Sequence, residues 1–534
     1  MRETTLYAAI LLALGLFFYA SAIVCAAAGD LDTTFNPAPG ITAAWTVTTQ
    51  SDGKALVGCS FDTLSPTTHG RVCRLNIDGT LDTTFFNNTG SGTDGRVNAI
   101  AVQFDGKILF GGTFSVANGV SHQGLARLNG DGTLDATFQP MVGGPVNAIV
   151  VQPNGKIVIG GRFNQVNNDF RQGVARLNYN GSLDTSFDNV GSGGCPSFFS
   201  VSALALQPDE KIIAGGFFMM LNGVLCKNLA RLYFNSFHDT AFDDNVNNLD
   251  FRASFNVFAL ALQPDGKIYV GGTFTTFNNA PRSSLARLNT NGTLDNTFVP
   301  TLTASSGTPV VNTIAVQSNG KVLIGGSFAQ VNGVARNNLA RLNTDGTLDQ
   351  TFLNSAAAPN AEVAAIALQA DGKILIAGSF TQVSGIPRPG VARLLGDALT
   401  LTPTPAGPPI LLTDENTNRA AALDSVTFVR DPLPVVTSFN FSSDRHTRIM
   451  LFAANVDLKP EEGASVVTAQ AEDSQQRIFP LIVEYAGRVP RFDWLTQINV
   501  RLTDELESAG DLRLSVRVRG VQSNTVLLKV RPSQ

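Results

Sequence analysis

One phrase of roughly fifty residues is written seven times along this chain. Its copies read approximately V-x-A-I-A-V-Q-x-D-G-K-I-L-I-G-G-x-F, then N-G, then L-A-R-L-N-x-D-G-T-L-D-x-T-F, and they close on Phe35, Phe85, Phe138, Phe187, Phe242, Phe298 and Phe352. From the first to the last of these in six steps, the mean period is about 53 residues, a spacing typical of propeller blades and solenoid units. A unit of that size cannot bury its apolar face alone and must stack on its neighbours. Residues identical in every copy are therefore expected to serve the stack, and those that vary to carry recognition.

A single copy shows what is stacked. Val146–Gln152 is a β-rich apolar run, Pro153-Asn154-Gly155 breaks it, and Lys156–Phe163 is a second run. Asn-Gly or Asp-Gly between two such runs predicts a hairpin with positive φ at both central residues. Equivalent turns stand at Asp52-Gly53, Asp105-Gly106, Asp265-Gly266, Asn319-Gly320 and Asp371-Gly372, whereas the fourth copy has Asp209-Glu210 and is expected to be strained or of another type. A loop around Asn118-Gly119, Asn222-Gly223 or Asn332-Gly333 leads to a third strand such as Leu125–Asn129, and a turn at Gly130-Asp131-Gly132 leads to Leu134–Phe138. The result is a three- or four-stranded antiparallel unit, whose glycine pair lets backbones approach near a narrow axis.

The phase of the repeat argues for closure. Leu31–Phe35 is the end of a copy without its beginning, and the last copy stops at Val391–Leu394 without its end. Seven whole units exist only if the N-terminal segment completes the last one, which leaves a ring without exposed edges. The expected fold is all-β: a seven-bladed β-propeller over residues 29–397, with an open β-solenoid as the alternative.

Residues 1–28 read as a secretory signal peptide, with Arg2 before an apolar run from Leu6 to Val24 and Ala26-Ala27-Ala28 as cleavage site. An uncleaved anchor, or lipidation at Cys25, is the alternative. No other stretch is long and apolar enough to span a membrane as a helix, so no span is expected after cleavage. The net charge of −5 and the lack of a basic stripe argue against a nucleic-acid partner. Export permits disulfides. Cys59 replaces the second glycine of G-G-x-F and Cys73 the alanine of A-R-L, so Cys59–Cys73 is a candidate bridge if their strands are neighbours, with free buried thiols as the alternative. Residues 398–410 form a stiff Pro/Thr linker. Beyond it, over 411–534, alternating runs at Arg448–Phe452, Arg477–Val483, Gln497–Leu502, Leu512–Arg519 and Thr525–Val530 predict a β-sandwich.

The motif D-G-K-I-L-I-G-G-x-F followed by A-R-L-N-x-D-G-T-L-D-x-T-F resembles the delta-60 repeat of large secreted or surface-exposed bacterial proteins, over about residues 29–394. The resemblance implies a β-propeller and carries no catalytic motif. Tyr485-Ala486-Gly487, Thr496–Leu502, Ala509-Gly510-Asp511 and Gly520–Asn524 resemble an immunoglobulin-like C-terminal module of exported acidobacterial proteins, which implies no activity.

Catalytic constellations are scarce. The four histidines, His69, His122, His238 and His446, are scattered, and neither G-x-S-x-G nor H-E-x-x-H occurs. The catalytic and metal assignments are therefore none. Asn129, Asp131 and Asp135, with their counterparts in other copies, are spaced as hard-cation ligands can be, leaving calcium open, but they equally suit a side-chain-capped turn. The repeated Lys of D-G-K and Arg of A-R-L could line a mouth with positive charge, or pair with the Asp of L-D-x-T-F in the same or the next blade. The variable loops Asp62–His69, Asn118–Gln123, Asn167–Arg171, Phe217–Cys226, Asn278–Ser283 and Asn332–Asn337 are expected to cluster on one face. Phe217, Phe218, Asn222, Asn278, Arg282, Asn332 and Arg336 are the candidate binding residues there. The expected function is a secreted or cell-surface, non-catalytic binding or scaffold protein recognising an extracellular polysaccharide or protein. The alternative is a propeller-type enzyme acting on an extracellular glycan.

Overall fold

The computed structural model describes residues 27–534 apart from 62–71, 188–198, 222–223, 247–255, 354–357, 398–409, 412–421, 425–432, 435–445, 455, 457, 459–461, 490–491, 507–509 and 532–534. The expected signal segment up to residue 26, Cys25, Cys195, the loop 62–69, Asn222 and nearly all of the linker fall outside the described residues. Contacts divide the chain into two units, 1–399 and 400–534.

In the first unit every copy forms a three-stranded antiparallel sheet in chain order. In the second copy these strands are Val97–Val102, Ile108–Gly112 and Leu125–Leu128, and Leu134 adds a single rung against Leu128. The inner strand of each sheet packs on the inner strands of both neighbours, and that of the seventh (Val363–Leu368) packs on that of the first (Ile41–Thr49). The ring is closed, as a seven-bladed propeller.

The closure uses the N-terminal residues as the phase of the repeat predicts. Leu31 bridges Leu394, Gly29 N donates to Leu395 O, and Asp32 N donates to Arg393 O at 2.8 Å. Phe35, 1% exposed, joins a core cluster that includes Leu375 and Val391 of the seventh blade.

Two turn assignments exchange places. The Asp-Gly segments are three-residue loops rather than two-residue ones. Gly106 N bonds Gln103 O, Gln103 N bonds Lys107 O, and only Gly106 has positive φ, the geometry of a type I turn closed by a left-handed residue. The fourth blade keeps this turn with Glu210 held at φ 64; of the two expectations, the strained one applies. The two-residue turns with positive φ at both positions lie instead in the segments expected to be loops. These are short hairpins such as Val116–Ala117 with Val120–Ser121, turned by Asn118 (φ 49) and Gly119 (φ 75).

Blade-to-blade spacing is set in the middle strand. A Cβ on Gly111 would lie 2.7 Å from Val146 Cγ1 on the next inner strand. Where the seventh blade meets the first, the sizes are redistributed: Ala377 replaces the glycine and Ala44 the valine, both fully buried in one cluster. Methyl against methyl thus takes the place of hydrogen against isopropyl, and close packing is kept. Cys59 occupies a position where, in the second blade, a Cβ would fall 1.9 Å from Arg96 O. The first blade accommodates it with two register slips, between Ile41 and Ala43 and between Ala44 and Thr46, where the second blade has one.

The second unit is a separate curled, sandwich-like sheet. Its hydrogen-bonded path runs Ile410–Leu411, Arg448–Ala454, Phe492–Arg501, Ile478–Val489, Val467–Glu472, Asp511–Val518, Val526–Arg531 and Leu433–Pro434. The long strand Ile478–Val489 pairs with Val467–Glu472 through Leu481, then with Phe492–Arg501 from Ile482 onward, past a bulge between Val483 and Tyr485. A strand that changes partners at a bulge turns the corner between two layers. Leu411 closes the curl, donating its N–H to Asn524 Oδ1 at 2.6 Å. Ile449, Ile498, Val500, Leu514 and Leu528 lie in the core between the layers, while Arg513 and Arg517 face solvent, as their alternation with leucine and valine predicts.

Candidate functional site

The repeated charges come first, because they decide what is left for recognition. Arg127 is 1% exposed. Its Nε donates to Asp135 Oδ2 at 2.8 Å, its Nη1 to Tyr179 O of the next blade at 2.6 Å, and its guanidinium lies 4.3 Å from the centre of the Phe138 ring. Lys107 Nζ donates to the same Asp135 oxygen at 2.7 Å. The arginine pairs recur as Arg74–Asp82, Arg176–Asp184, Arg231–Asp239, Arg287–Asp295 and Arg341–Asp349, and across the closure as Arg393–Asp32. The two rings of positive charge are therefore engaged by a third ring of carboxylates, and no cationic mouth results. The fourth blade is the loosest: Lys211 is 3.7 Å from Asp239 and nearer, at 3.1 Å, to Asp209.

Burial alone raises the Asp32 carboxyl. The Thr34 hydroxyl and amide, with the Arg393 guanidinium, more than offset it and hold the pKa at about 2. Asp82 is likewise held at about 2 by Lys54, the Phe85 amide and Arg74 against the same burial. Asp135, Asp184, Asp295 and Asp349 are also held low against burial.

The acidic turns are occupied by their own chain. Asp131 Oδ1 accepts from Thr133 N and, at 2.7 Å, from Thr133 Oγ1, while Asn129 Nδ2 donates to the same hydroxyl. Asp135 gives Oδ1 to Thr137 and Oδ2 to Lys107 and Arg127. Among the described residues no three His, Cys, Asp or Glu side chains gather as a metal site. Cys59 and Cys73 lie on adjacent strands with their sulfurs 3.3 Å apart, as free thiols. The two strands are neighbours, as the candidate bridge requires, and the thiols meet in a buried contact in which burial and then Cys73 push the Cys59 thiol pKa up.

Most of the candidate binding residues serve the fold. Phe218 is 2% exposed and packs against Phe199, 5.7 Å between ring centres; Phe217 ends the middle strand half-buried. Asn278 and Asn332 sit at φ 48 and 51, where a short amide side chain tolerates left-handed backbone. Asn332 also accepts from Thr301 N and donates to Gly346 O, and Asn278 donates to Asn245 O. Arg282 is buried against Pro281 O and Asn296, and Arg336 donates to Ala335 O. The hairpins do share one face, because each joins the middle strand to the outer one.

On that same face the inner strands begin, around the axis, and there the repeat breaks down. Copy by copy, the position of Asn98 holds Trp45, Asn98, Asn147, Ser202, Phe258, Asn312 and Ala364; two residues earlier stand Ala43, Arg96, Pro145, Ser200, Asn256, Val310 and Glu362. The Arg96 guanidinium lies 4.7 Å from the centre of the Trp45 ring. Desolvation lowers its pKa, and the field of Glu362 acts in the opposite sense. Asn312 Nδ2 donates to Glu362 across the blade boundary at 2.5 Å. Asn98 donates to Asn147, and Asn147 to Ser200 Oγ and Val201 O, each near 3.0–3.1 Å. Asn256 Oδ1 is buried there without a hydrogen-bond partner. Two aromatic side chains, Trp45 and Phe258, with one cation, one carboxylate and several amides, thus ring the axial mouth. Sequence reasoning passed over these residues; the signal was their variability at positions flanking the constant V-x-A, and its meaning depended on which strand end faces the axis.

Seven segments, residues 50–85, 103–138, 152–187, 207–242, 263–298, 317–352 and 369–397, match a family described as a domain of unknown function (DUF5122) beta-propeller. No curated protein matches the chain. Among the described residues no helix is long and apolar enough to cross a membrane.

Proposed function

We propose that this is a secreted or cell-surface binding and scaffold protein, without catalytic activity of its own, whose propeller holds an extracellular polysaccharide or protein at the axial mouth. The observation that carries this reading is the contrast between the repeated charges, which are satisfied internally, and the unrepeated ring of Trp45, Arg96, Asn98, Asn147, Asn312 and Glu362 at the mouth. A stacked Arg–Trp pair beside fixed amides offers an apolar face with directional donors and acceptors, the makings of a recognition surface on a rigid frame. Glycoside hydrolysis in its usual form needs two carboxylates placed either side of the scissile bond. Among the described residues, the mouth position of Asn98 and the one two residues earlier carry a single carboxylate over the seven blades, Glu362, which favours binding over the enzyme reading.

The test is a screen of the purified protein against a glycan array and cell-envelope fractions, with Trp45→Ala alongside. Saturable binding without product, lost in the variant, is expected. Breakdown of a bound glycan would overturn the non-catalytic reading, and binding indifferent to Trp45→Ala would remove the mouth from it.

A further inference from the structure

The opposite face of the propeller carries the Asp-Gly turns between inner and middle strands and the turns that follow the outer strands. At most copies these turns present Ser, Pro, Thr or Gly. On the second to fourth blades they present aromatic rings: Phe104 is 76% exposed, Phe234 59% and Phe237 71%. Tyr179 lies between blades with its hydroxyl donating to Asp105, its ring under the Arg127 guanidinium at 4.6 Å. A Cβ on Gly155 would meet Phe104 at 3.4 Å and Tyr179 at 4.0 Å, so the two rings flank one small gap. Nothing in the blade core needs Phe104 or Phe234 at these tips, since Ser318 and Thr290 fill the same positions elsewhere.

From this array we infer that the turn face of blades two to four is a platform for a neutral polysaccharide. Its rings are isolated by Pro, Asn and Gly rather than joined by leucine or methionine, so it lacks the continuous aliphatic surface a protein helix would bury. An aromatic face carries negative quadrupole charge and attracts the weakly positive C–H face of a pyranose. The sugar's hydroxyls then need fixed polar partners beside the ring. Asn154, Asn180 and Asn235 meet this need: each Oδ1 is held by a backbone N–H of its own turn, and among the described residues no partner takes their side-chain N–H groups. Asn180 and Asn235 stand where the first, second and sixth blades carry Asp78, Asp131 and Asp345. The carboxylates that remain in these turns, Asp105 and Asp131 on the second blade and Asp209 and Glu210 on the fourth, disfavour an acidic polymer beside the amides.

This inference rests on the reading of the propeller as a binding module, and adds a second surface remote from the mouth. It is tested by native affinity electrophoresis of the full chain through gels holding mixed-linkage β-glucan, galactomannan, xyloglucan or dextran, with alginate as the charged comparison. Retardation by at least one neutral polymer is expected, weakened about tenfold or more in Phe104→Ala/Phe234→Ala and restored toward wild type when Phe104→Trp replaces Phe104→Ala in the Phe234→Ala background. Both residues are exposed, so the thermal transition stays unchanged and reports folding. Retardation by alginate alone, none by any neutral polymer, or retardation that survives the double substitution overturns the inference. So does a self-association seen by sedimentation that the double substitution abolishes. Neutral-polymer binding lost in Trp45→Ala but kept in Phe104→Ala/Phe234→Ala would remove the platform and leave the binding reading standing.

Discussion

The Arg–Asp–Phe layer and the axial mouth are built from the same seven strands' neighbourhoods, yet they behave oppositely. In the layer, the same arginine meets the same carboxylate and the same phenylalanine in each blade, and reaches across to the next: Arg231 to Thr290 O and Arg287 to Thr344 O repeat what Arg127 does with Tyr179 O. At the mouth the equivalent position holds five residue types over seven blades, with Trp45 beside Asn98 and Asn312 beside Ala364. The comparison teaches that repetition marks groups satisfied by the fold, while loss of repetition marks groups the fold does not require. A charge that recurs in every blade is a poor guide to a ligand here.

The largest break in this contrast is expected at the closure. Asp32→Asn leaves Arg393 buried without its carboxylate, at a cost of about 3–5 kcal/mol, read as a lower thermal midpoint with the ring opened first at the first and seventh blades in hydrogen exchange. An unchanged midpoint would show that the N-terminal strand closes the ring by backbone pairing alone.

Acid titrates the layer as a whole. The Asp32 and Asp82 carboxyls sit at about 2 in the fold and near 4 when unfolded. Their stabilisation is complete above pH 4 or so and is lost as pH falls through about 2, each contributing about 2 kcal/mol. Unfolding between pH 4 and 2, with little change from pH 5 to 7, is expected by circular dichroism.

Blade spacing is a finer test. Gly111→Ala is expected to cost about 1–3 kcal/mol, because its methyl enters the Val146 side chain. Adding Val146→Ala recreates the Ala377/Ala44 arrangement, so the double variant should be less destabilised than the sum of the singles by about 1 kcal/mol. Strict additivity in denaturant melts would refute size exchange as the rule of the interface.

The smallest effect on stability is expected at the mouth. Trp45→Ala should move it within about 0.5 kcal/mol, while abolishing the binding proposed there. A large destabilisation would return Trp45 to the structural class.

Much of the propeller was legible because its period forces stacking: the seven units, their strands, and the completion of the last blade by Leu31–Phe35 follow from repeat phase. The pairing of Arg with Asp was legible as one of two alternatives, since spacing along the chain does not say whether two residues eight apart share a strand face. The turns were misplaced for a similar reason. Asp-Gly suits both a two-residue loop and a three-residue loop with one left-handed glycine, and only the hydrogen bonds of Gln103 with Gly106 and Lys107 separate them. Asn278 and Asn332 are candidate binding residues by their place in variable loops; their positive φ and their hydrogen bonds to Asn245 and Gly346 come from the hairpin geometry, which loop variability does not reveal.

The sequence by itself determined the repeating sheet, the closed ring and the division from a second β unit, because these depend on periodicity and on which edges would otherwise stay unpaired. Tertiary structure alone decided what meets at the axis. Trp45, Arg96 and Glu362 are separated by up to hundreds of positions in the chain and carry no shared motif; only the closure of seven inner strands into one ring brings their side chains to a common mouth.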